Sequence, residues 1–402
     1  MTYLYKQDVG ATDAFGRLRV SAPLTLFDSS HRFADNDLWS ESITGTASST
    51  FDSDAGLILL DVGDTSGDEI IRETTKVFSY QPGKSLLILT TFVFAEPKAN
   101  LRQRAGYFGS ANGMYFEANG TTVSFVERNS VTGSVAETKV NQADWNIDVM
   151  DGTGPSGFTL DPSKAQILYM DIEWLGLGTV RMGFVINGLF VHCHSFHHAN
   201  LIEGTYITTA SLPLRQEITN IGDTSGVSQQ KQICSSVLSE GGYELRGRQQ
   251  AVGTPIATPR TLTTADTYYP VISLRLKSDR LDAIAIITAA SFLGVDSGNY
   301  NWRIVAGNTV TAGTWVSAGN NSSVEYNLTG TATSGGRVLA SGWLSSTNQS
   351  AGNIDLLKEA LFKFQLERNT FTSTPEVISL VVACDTASAK TYSTLDWEEI
   401  TR

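Results

Sequence analysis

The sequence predicts an all-β protein that consists of two β-sandwich domains in series and an extended N-terminal arm. Apolar and polar residues alternate in short runs along the chain, and Gly, Ser and Thr are abundant between these runs. This pattern is typical of antiparallel strands joined by turns. A single core rarely extends beyond about 250–300 residues, so a length of 402 residues predicts two large domains.

The clearest strand pattern is a hairpin with the sequence TVRMGFVI-NG-LFVHCHSF. The Asn-Gly dipeptide at 187–188 accepts the positive φ angles of a two-residue type I′ turn, which fixes the strand register. That register places Arg181 opposite His194 and Gly183 opposite His192. The apolar residues share the opposite, core-facing side: Val180, Met182, Phe184, Ile186, Leu189, Val191 and Cys193.

A second hairpin, MYFEA-NG-TTVSFVER, repeats this pattern about Asn119 and Gly120. It places four apolar residues on one side: Met114, Phe116, Val123 and Phe125. Two separate hairpins therefore predict the same half-buried type of strand.

The charge of the chain excludes one class of partner. Lys and Arg number 29 against 41 Asp and Glu, which gives a net charge of −12. Such a chain repels a phosphate backbone, so nucleic acid is not expected as a partner.

The longest apolar run, near 86–94, is too short to cross a bilayer, so no membrane insertion is expected. The first residues lack a secretion signal, so folding in a cytosol is expected.

The cysteines do not suggest a disulfide framework or a paired metal site. They are odd in number and widely spaced, at Cys193, Cys234 and Cys384. We expect all of them to be reduced and buried.

Four of the five histidines cluster at His192, His194, His197 and His198. On a strand, His192 and His194 project to the same side about 6–7 Å apart, close enough to share a metal ion. Arg181 lies beside His194 in the expected register and would disfavour a cation. The preferred interpretation is a polar face that packs on another subunit, and no metal or other cofactor is expected.

The segment YMDIEWLG at 169–176 resembles the active-site strand of the lichenase and laminarinase glycosidases, in which EIDIEFLG supplies the catalytic carboxylates. The resemblance implies a concanavalin-like jelly roll. Asp171 and Glu173 match the helper and the acid/base, but Tyr169 occupies the position of the nucleophile. A retaining glycosidase needs two carboxyl groups about 5 Å apart. We therefore expect a degenerate strand with no catalytic residues.

Composition completes the domain prediction. A segment with two prolines and few large apolar residues, at 246–267, is typical of a linker. The expected parts are an N-terminal arm at 1–45, a concanavalin-like sandwich at 46–248, a linker at 249–267 and a C-terminal jelly-roll-like sandwich at 268–402. One short helix is expected at 354–360.

Longer blocks in the first 250 residues or so resemble a family of tailed-bacteriophage structural proteins that is common in marine phages. The blocks are DAFGRLRVS at 13–21 and the segments 24–40, 104–128, 151–200 and 231–247. The resemblance implies a virion protein assembled in the host cytoplasm, with other virion proteins as partners. It supplies no catalytic residues.

The leading functional prediction is a non-enzymatic tail, fibre or baseplate component, with capsid decoration as a close alternative. Such proteins commonly form closed cyclic oligomers, and a homotrimer is favoured. The arm is expected to dock on a neighbouring virion subunit by strand addition. Phe15, Leu18 and Val20 would anchor it, while Arg17 and Arg19 would pair with acidic groups.

Two other classes remain open. A receptor-recognition module could bind host surface glycans through exposed aromatic residues, and the chain contains seven tryptophans. A glycosidase or depolymerase is the third class, and Tyr169 argues against it. A glycan-binding assay would separate the second class from a purely structural role.

Overall fold

The computed structural model describes residues 11–242, 244, 246–346, 352–354 and 364–401. The chain divides into two compact units, Met1–Glu244 and Leu245–Arg402. The all-β prediction is confirmed: the only helical element that lies wholly within the described ranges is a 3-10 turn at Gln142–Asp144. None of the described residues belong to a helix that is long and apolar enough to cross a membrane.

Unit 1 contains the first half of the strands. In the described part of this unit they are β1 (Leu24–Ser30), β2 (Trp39–Thr44), β3 (Ser48–Asp52), β4 (Leu57–Val62), β5 (Glu69–Thr74), β6 (Leu86–Val93), β7 (Leu101–Phe108), β8 (Gly113–Asn119), β9 (Thr122–Asn129), β10 (Ala136–Asn141), β11 (Gln166–Ile172), β12 (Val180–Ile186), β13 (Leu189–Phe196), β14 (Leu214–Asn220) and β15 (Ser228–Ser239).

These strands form two antiparallel sheets that pack face to face. Sheet I has the order β13-β12-β11-β6-β15-β4-β3, and β1 also pairs with β15. Sheet II has the order β10-β9-β8-β7-β14-β5-β2. One apolar cluster includes alternate residues of both sheets, such as Leu168 and Met170 of β11 and Met114 and Phe116 of β8. The core of the sandwich therefore lies between the sheets, and each sheet has an outer face.

The hairpin β12–β13 follows the predicted turn but only part of the predicted register. Asn187 and Gly188 have φ angles of 52° and 76°, as a type I′ turn requires. Gly183 lies opposite His192, which is confirmed, but a β-bulge between Met182 and Gly183 shifts the pairs of Val180, Arg181 and Met182 by one residue. Arg181 consequently lies opposite Ser195, and the predicted pairing with His194 is wrong.

Most of the predicted apolar face of this hairpin is in the core. Val180, Met182, Phe184, Val191 and Cys193 are buried there, and Ile186 packs against them. Leu189, at the tip of the hairpin, is instead 63% exposed.

In the hairpin β8–β9, Asn119 pairs with Thr122, so the two loop residues are Gly120 and Thr121. The turn lies one residue later than predicted. The predicted face is confirmed, because four residues are buried in the core: Met114, Phe116, Val123 and Phe125.

The structure differs from the expected N-terminal arm between residues 24 and 44. Strand β1 pairs with β15, and β2 pairs with β5. Phe27 and Trp39 of these strands belong to the core of unit 1. The arm was expected because residues 1–45 have few consecutive strand signals, but pairing with distant strands needs no strong local signal.

Unit 2 contains shorter strands. In its described part they are β16 (Arg248–Gly253), β17 (Arg260–Leu262), β18 (Tyr269–Leu276), β19 (Ile284–Gly294), β20 (Asn299–Ala306), β21 (Thr309–Thr311), β22 (Val316–Ser317), β23 (Val324–Asn327), β24 (Ala332–Ser334), β25 (Arg337–Ser345), β26 (Gly352–Ile354), β27 (Arg368–Asn369), β28 (Thr374–Pro375), β29 (Ile378–Cys384) and β30 (Ala389–Thr401).

Unit 2 is also a sandwich. Sheet III has the order β16-β30-β19-β26, with β17 also paired to β30, and sheet IV has the order β22-β23-β18-β29-β20-β25. Both sheets contribute to one core, for example through Trp397 of β30 and Leu380 of β29. The short pairs β21–β24 and β27–β28 complete the described strands.

Two sequence expectations for this half of the chain differ from the structure or lie outside it. The expected linker at 249–267 contains β16 and β17, and both pair with β30. Its polar composition suits edge strands, which have one solvent-exposed side. Of the helix expected at 354–360, Ile354 ends β26, and 355–360 lie outside the described residues.

Candidate functional site

The outer face of sheet I carries the residues that resemble a glycosidase strand. Leu168, Met170 and Ile172 of β11 point into the core, so Tyr169 and Asp171 belong to the outer face. Asp171 lies directly opposite Arg181 on β12. The site therefore begins as a cross-strand ion pair.

Two arginines enclose the carboxylate of Asp171. Its Oδ2 atom accepts hydrogen bonds from Arg181 Nη2 and, at 2.6 Å, from Arg19 Nη2. Arg19 also donates to the carboxylate of Glu240. We call these four residues, Arg19, Asp171, Arg181 and Glu240, the ion cluster. The Asp171 side chain has no solvent exposure, so no polysaccharide can reach it.

The segment 11–20 folds back on itself to deliver Arg19. Thr12 and Leu18 form an isolated bridge, and Asp13 accepts hydrogen bonds from the amides of Phe15 and Arg17. The carbonyl oxygen of Thr12 accepts a 2.8 Å hydrogen bond from Arg181 Nη2. This segment is attached to the rest of unit 1 by the ion cluster and by the hydrogen bond from Arg181 to the Thr12 carbonyl oxygen.

Burial and charge act in opposite directions on Asp171. Burial raises the pKa of its carboxyl, whereas the positive charges of Arg181 and Arg19 lower it. Its Oδ1 atom has no hydrogen-bond partner among the described residues. A carboxyl group in this setting holds two cations in place and is not free to donate a proton to a substrate.

Tyr169, at the position of the nucleophile, is fully buried. Its ring packs edge-on against Phe190 with 5.0 Å between the ring centroids. Gly183 leaves room for this ring, because a Cβ atom there would lie 2.9 Å from Tyr169 Cε1. Burial raises the pKa of the phenol well above its usual range, so Tyr169 stays neutral. It is out of reach of a substrate and is no substitute for a carboxylate nucleophile.

Glu173, at the position of the acid/base, lies beyond the end of β11 and is half-buried. Burial raises its pKa to about 7, and the nearby charges of Asp13 and Asp171 add to this effect. A pKa near 7 suits a general acid. Asp171, the other carboxylate of the segment that resembles the glycosidase strand, is fully buried and therefore cannot act on a substrate together with Glu173.

The structure does not bring the four histidines into one metal site. At least one ring nitrogen of each histidine contacts a different partner: His192 with Ser195, His194 with the Asn146 backbone amide, His197 with Thr179 and His198 with Glu127. Burial lowers the pKa of both His192 and His194 to about 4, so both are neutral near pH 7. No group of three or more candidate ligands occurs within the described ranges.

The other residues expected to dock the arm divide into two groups. Arg17 pairs with Asp13 of its own segment at 2.6 Å, and its guanidinium lies over the Phe15 ring. Leu18 and Val20 are 68% and 86% exposed. The acidic partners of Arg17 and Arg19 are therefore in the same chain, while the side chains of Leu18 and Val20 face solvent.

The cysteines are free, as expected. Cys193 and Cys384 are buried, but Cys234 is exposed, so the expectation of burial is wrong for Cys234. It lies on β15, at the point where the strand paired with β15 changes from β4 to β1. The register of β15 with β6 also shifts there.

Sequence reasoning missed a charged layer on the outer face of sheet II. It consists of Arg104, Arg128, Lys139, Arg215, Glu73, Glu117, Glu137 and Glu217, which form ion pairs across neighbouring strands. Burial alone would raise the pKa of Glu137, but hydrogen bonds from Tyr115 and Arg128 outweigh it and hold the value at about 2. Alternation of charged residues on β7 and β14 was the available signal.

Sequence reasoning also missed a pocket in unit 2. It has a volume of about 570 Å³ and lies where β20, β25 and β29 run side by side. Aromatic, amide and carboxylate side chains line it, including Tyr268, Trp343, Asn301, Asp266 and Asp385. Trp343 is 74% exposed. The only sequence signal for such a site was the presence of seven tryptophans.

Comparison with known proteins gives weak similarities. No family model and no curated protein matches this chain. The alignment with the Emp47p carbohydrate recognition domain covers 55% of this chain and 97% of that domain's chain, with 8% identity and a TM-score of 0.34. The alignment with a Bacteroides ovatus mixed-linkage glucan GH16 protein in complex with a product covers 53% of this chain and 99% of that protein's chain, with 11% identity and a TM-score of 0.36.

A beta-1,3-glucanase from Mycobacterium marinum is similar to the same extent. It covers 53% of this chain and 98% of its own, with 11% identity and a TM-score of 0.34. Scores this low establish neither the fold nor the activity of this chain. Its architecture is defined by its own strand order and core.

Proposed function

We propose that this chain is a non-enzymatic structural protein of a tailed-bacteriophage particle. The observation that carries the non-enzymatic part is the ion cluster: Asp171, which matches a glycosidase helper, is buried between Arg181 and Arg19. Tyr169 replaces the nucleophile and is buried as well. The site is built to hold the N-terminal segment in place.

The sequence blocks that resemble phage structural proteins support the virion part of the proposal. Arg19 lies in block 13–21, Asp171 and Arg181 lie in block 151–200, and Glu240 lies in block 231–247. Three separate blocks thus meet in one buried cluster. A structural role explains why these segments are needed together, because a buried charge requires its partners.

The exposed side of the segment 11–20 is the proposed attachment surface. Leu18 and Val20 expose most of their aliphatic side chains while Arg19 fixes the backbone between them. An ordered segment loses little conformational entropy when it binds. We assign these two residues to contact with another virion protein, within a symmetric oligomer for which a trimer is favoured.

A tail, fibre or baseplate position is the preferred location, and head decoration is the alternative. Imaging of labelled protein on intact particles, which are assembled in the host cytoplasm, tests both. Label at the tail or baseplate agrees with the preferred location. A chain that never enters particles would contradict the proposal.

The attachment surface is tested with a double variant, Leu18→Ser with Val20→Ser. It leaves Arg19 and the ion cluster unchanged, so the protein should fold normally but enter few particles. The matched control is Val131→Ser with Val135→Ser, which alters two exposed valines in another loop of unit 1. Normal incorporation of the first variant would contradict the assigned surface.

The non-enzymatic part is tested with purified protein and a panel of bacterial polysaccharides. We expect no release of reducing ends over the background of the buffer. Hydrolysis by the natural sequence that disappears in Glu173→Gln would overturn this part of the proposal, since Glu173 is the remaining accessible acid of the strand.

A further inference from the structure

We infer that the pocket in unit 2 binds a neutral carbohydrate. The pocket lies on the outer face of sheet IV and is lined by Asp266, Tyr268, Asn299, Asn301, Trp343 and Asp385, among others. Its volume of about 570 Å³ is within the range of about 300–1,000 Å³ that is common for small-ligand sites. This inference does not depend on the virion role.

The strand register builds the floor of the pocket. Asn301 of β20 lies directly opposite Trp343 of β25 on one side and opposite Ala383 of β29 on the other. These three residues therefore form a row across three strands. Their neighbours Tyr300 and Cys384 point into the core, so the row faces outward. A row on paired strands is a rigid platform for a ligand.

Trp343 forms an open aromatic wall. Its side chain is 74% exposed although it lies on a regular strand, and large exposed aromatic residues are common at binding sites. The apolar C–H groups on one face of a sugar ring can pack against such an indole ring. Trp343 thus offers an exposed aromatic surface on which a sugar ring can stack.

The second aromatic residue is held rigidly in the pocket. The Tyr268 hydroxyl donates a 2.5 Å hydrogen bond to Asn301 Oδ1. The Arg303 guanidinium lies over the Tyr268 ring, 4.1 Å from its centroid, and Arg303 Nε also donates to Asn301. Asn301 Nδ2 donates to the carbonyl oxygen of Gly342. These bonds fix the polar groups before a ligand arrives, which lowers the entropy cost of binding.

Carboxylate and amide groups complete the lining. Asn299 donates to both carboxylate oxygens of Asp385, through its backbone amide at 3.0 Å and its side-chain amide at 2.7 Å. Asp266, in the loop before β18, presents an exposed carboxylate. Sugar hydroxyl groups both donate and accept hydrogen bonds, so they match a mixture of carboxylates and amides.

The charges favour a neutral sugar over two other ligand types. Asp266 and Asp385 line the pocket, and their two negative charges exceed the one positive charge of Arg303 over the Tyr268 ring, so the net charge disfavours acidic sugars and phosphates. An organic cation is usually held by several open aromatic faces. Here Arg303 already covers the Tyr268 ring, so only Trp343 presents an open face among the described lining residues.

The test is a glycan array of neutral and acidic oligosaccharides probed with the full chain, followed by titration of any bound sugar. We expect neutral glycans to bind. Trp343→Ala should weaken the affinity at least about tenfold, since truncating a central aromatic anchor commonly has an effect of this size. Trp343→Phe should retain part of the affinity.

The matched control is Phe33→Ala, which removes an exposed aromatic side chain from unit 1 and should leave binding unchanged. Circular dichroism checks that the Trp343 variants remain folded. Three results would overturn the inference: no glycan bound by the natural sequence, binding of acidic glycans alone, or equal affinity in Trp343→Ala. If the proposed virion role proved wrong, each of these results would still test the glycan site, because the binding assay does not involve particles.

Discussion

Arg19 and Asp171 are separated by 152 positions in the sequence, yet Arg19 Nη2 lies 2.6 Å from Asp171 Oδ2. Asp171 is fully buried, and Arg181 donates to the same oxygen from the neighbouring strand. A charge inside a protein is stable only when its partners are present. The segment 11–20 is therefore a structural part of unit 1.

The ion cluster should make Asp171 important for stability. Asp171→Ala leaves Arg181 buried without its carboxylate, and breaking a buried pair in this way costs about 3–5 kcal/mol. We expect a loss of this size in the free energy of unfolding of unit 1, measured by urea denaturation. The control is Glu69→Ala, which removes a half-exposed partner of Arg102 and should cost about 1 kcal/mol or less. Equal losses in the two variants would contradict a stabilising ion cluster.

The hydroxyl group of Tyr169 should contribute nothing to stability. It is buried and has no hydrogen-bond partner in the part of the chain that the structure describes. Removing an unsatisfied buried polar group is neutral or stabilising, by up to about 1–3 kcal/mol. Tyr169→Phe should therefore unfold at the same or a higher urea concentration. A clearly lower midpoint would mean that the hydroxyl has a partner.

Two glycines of the hairpin β12–β13 should respond differently to alanine. Gly188 has a φ angle of 76° and open space around it, so Gly188→Ala should cost about 1–2 kcal/mol of backbone strain. A Cβ atom at Gly183 would lie 2.0 Å from the carbonyl oxygen of Val191, so Gly183→Ala must displace the paired strand. We expect it to cost about 3 kcal/mol or more. Thermal unfolding of the two variants measures the difference, and a reversed order would refute it.

The attachment of segment 11–20 should weaken as the pH rises. The pKa of Glu173 is raised from 4.5 to about 7, by burial first and then by Asp13 and Asp171. The folded state therefore favours the protonated carboxyl. Its contribution to stability is fully present below about pH 4.5 and is lost as the pH rises through about 7.

Hydrogen exchange measures this effect locally. Protection of the amides in 11–20 should fall between about pH 5 and pH 8, because ionised Glu173 repels Asp13 of that segment. Glu173→Gln should remove the fall. If the same fall persists in Glu173→Gln, another group is responsible.

Local patterns predicted much of the fold. The hairpin β12–β13 follows from two-residue alternation and from Asn-Gly turn chemistry, and both act over a few residues. Two-residue alternation does not indicate the bulge beside Gly183, where a Cβ atom would meet Val191 and Tyr169. Tertiary contacts of this kind decide the register where local signals leave it open.

The candidate sites were predicted less well. Tyr169, Asp171 and Glu173 were identified by resemblance, and the contact between Arg19 and Glu240 could not be predicted because the two residues are 221 positions apart. The arginines of the arm were expected to pair with acidic groups, and the acidic partners that the structure shows lie in the same chain. No spacing in the sequence indicates a contact over such distances.

The pairing of β1 with β15 also determines when unit 1 can be completed. These strands lie near the two ends of the unit. A ribosome adds about 5–20 residues per second, so β1 waits on the order of tens of seconds for its partner. During this interval the apolar side of β1 is exposed in the nascent chain. Its binding to chaperones or to other nascent copies would then decide the yield of folded protein.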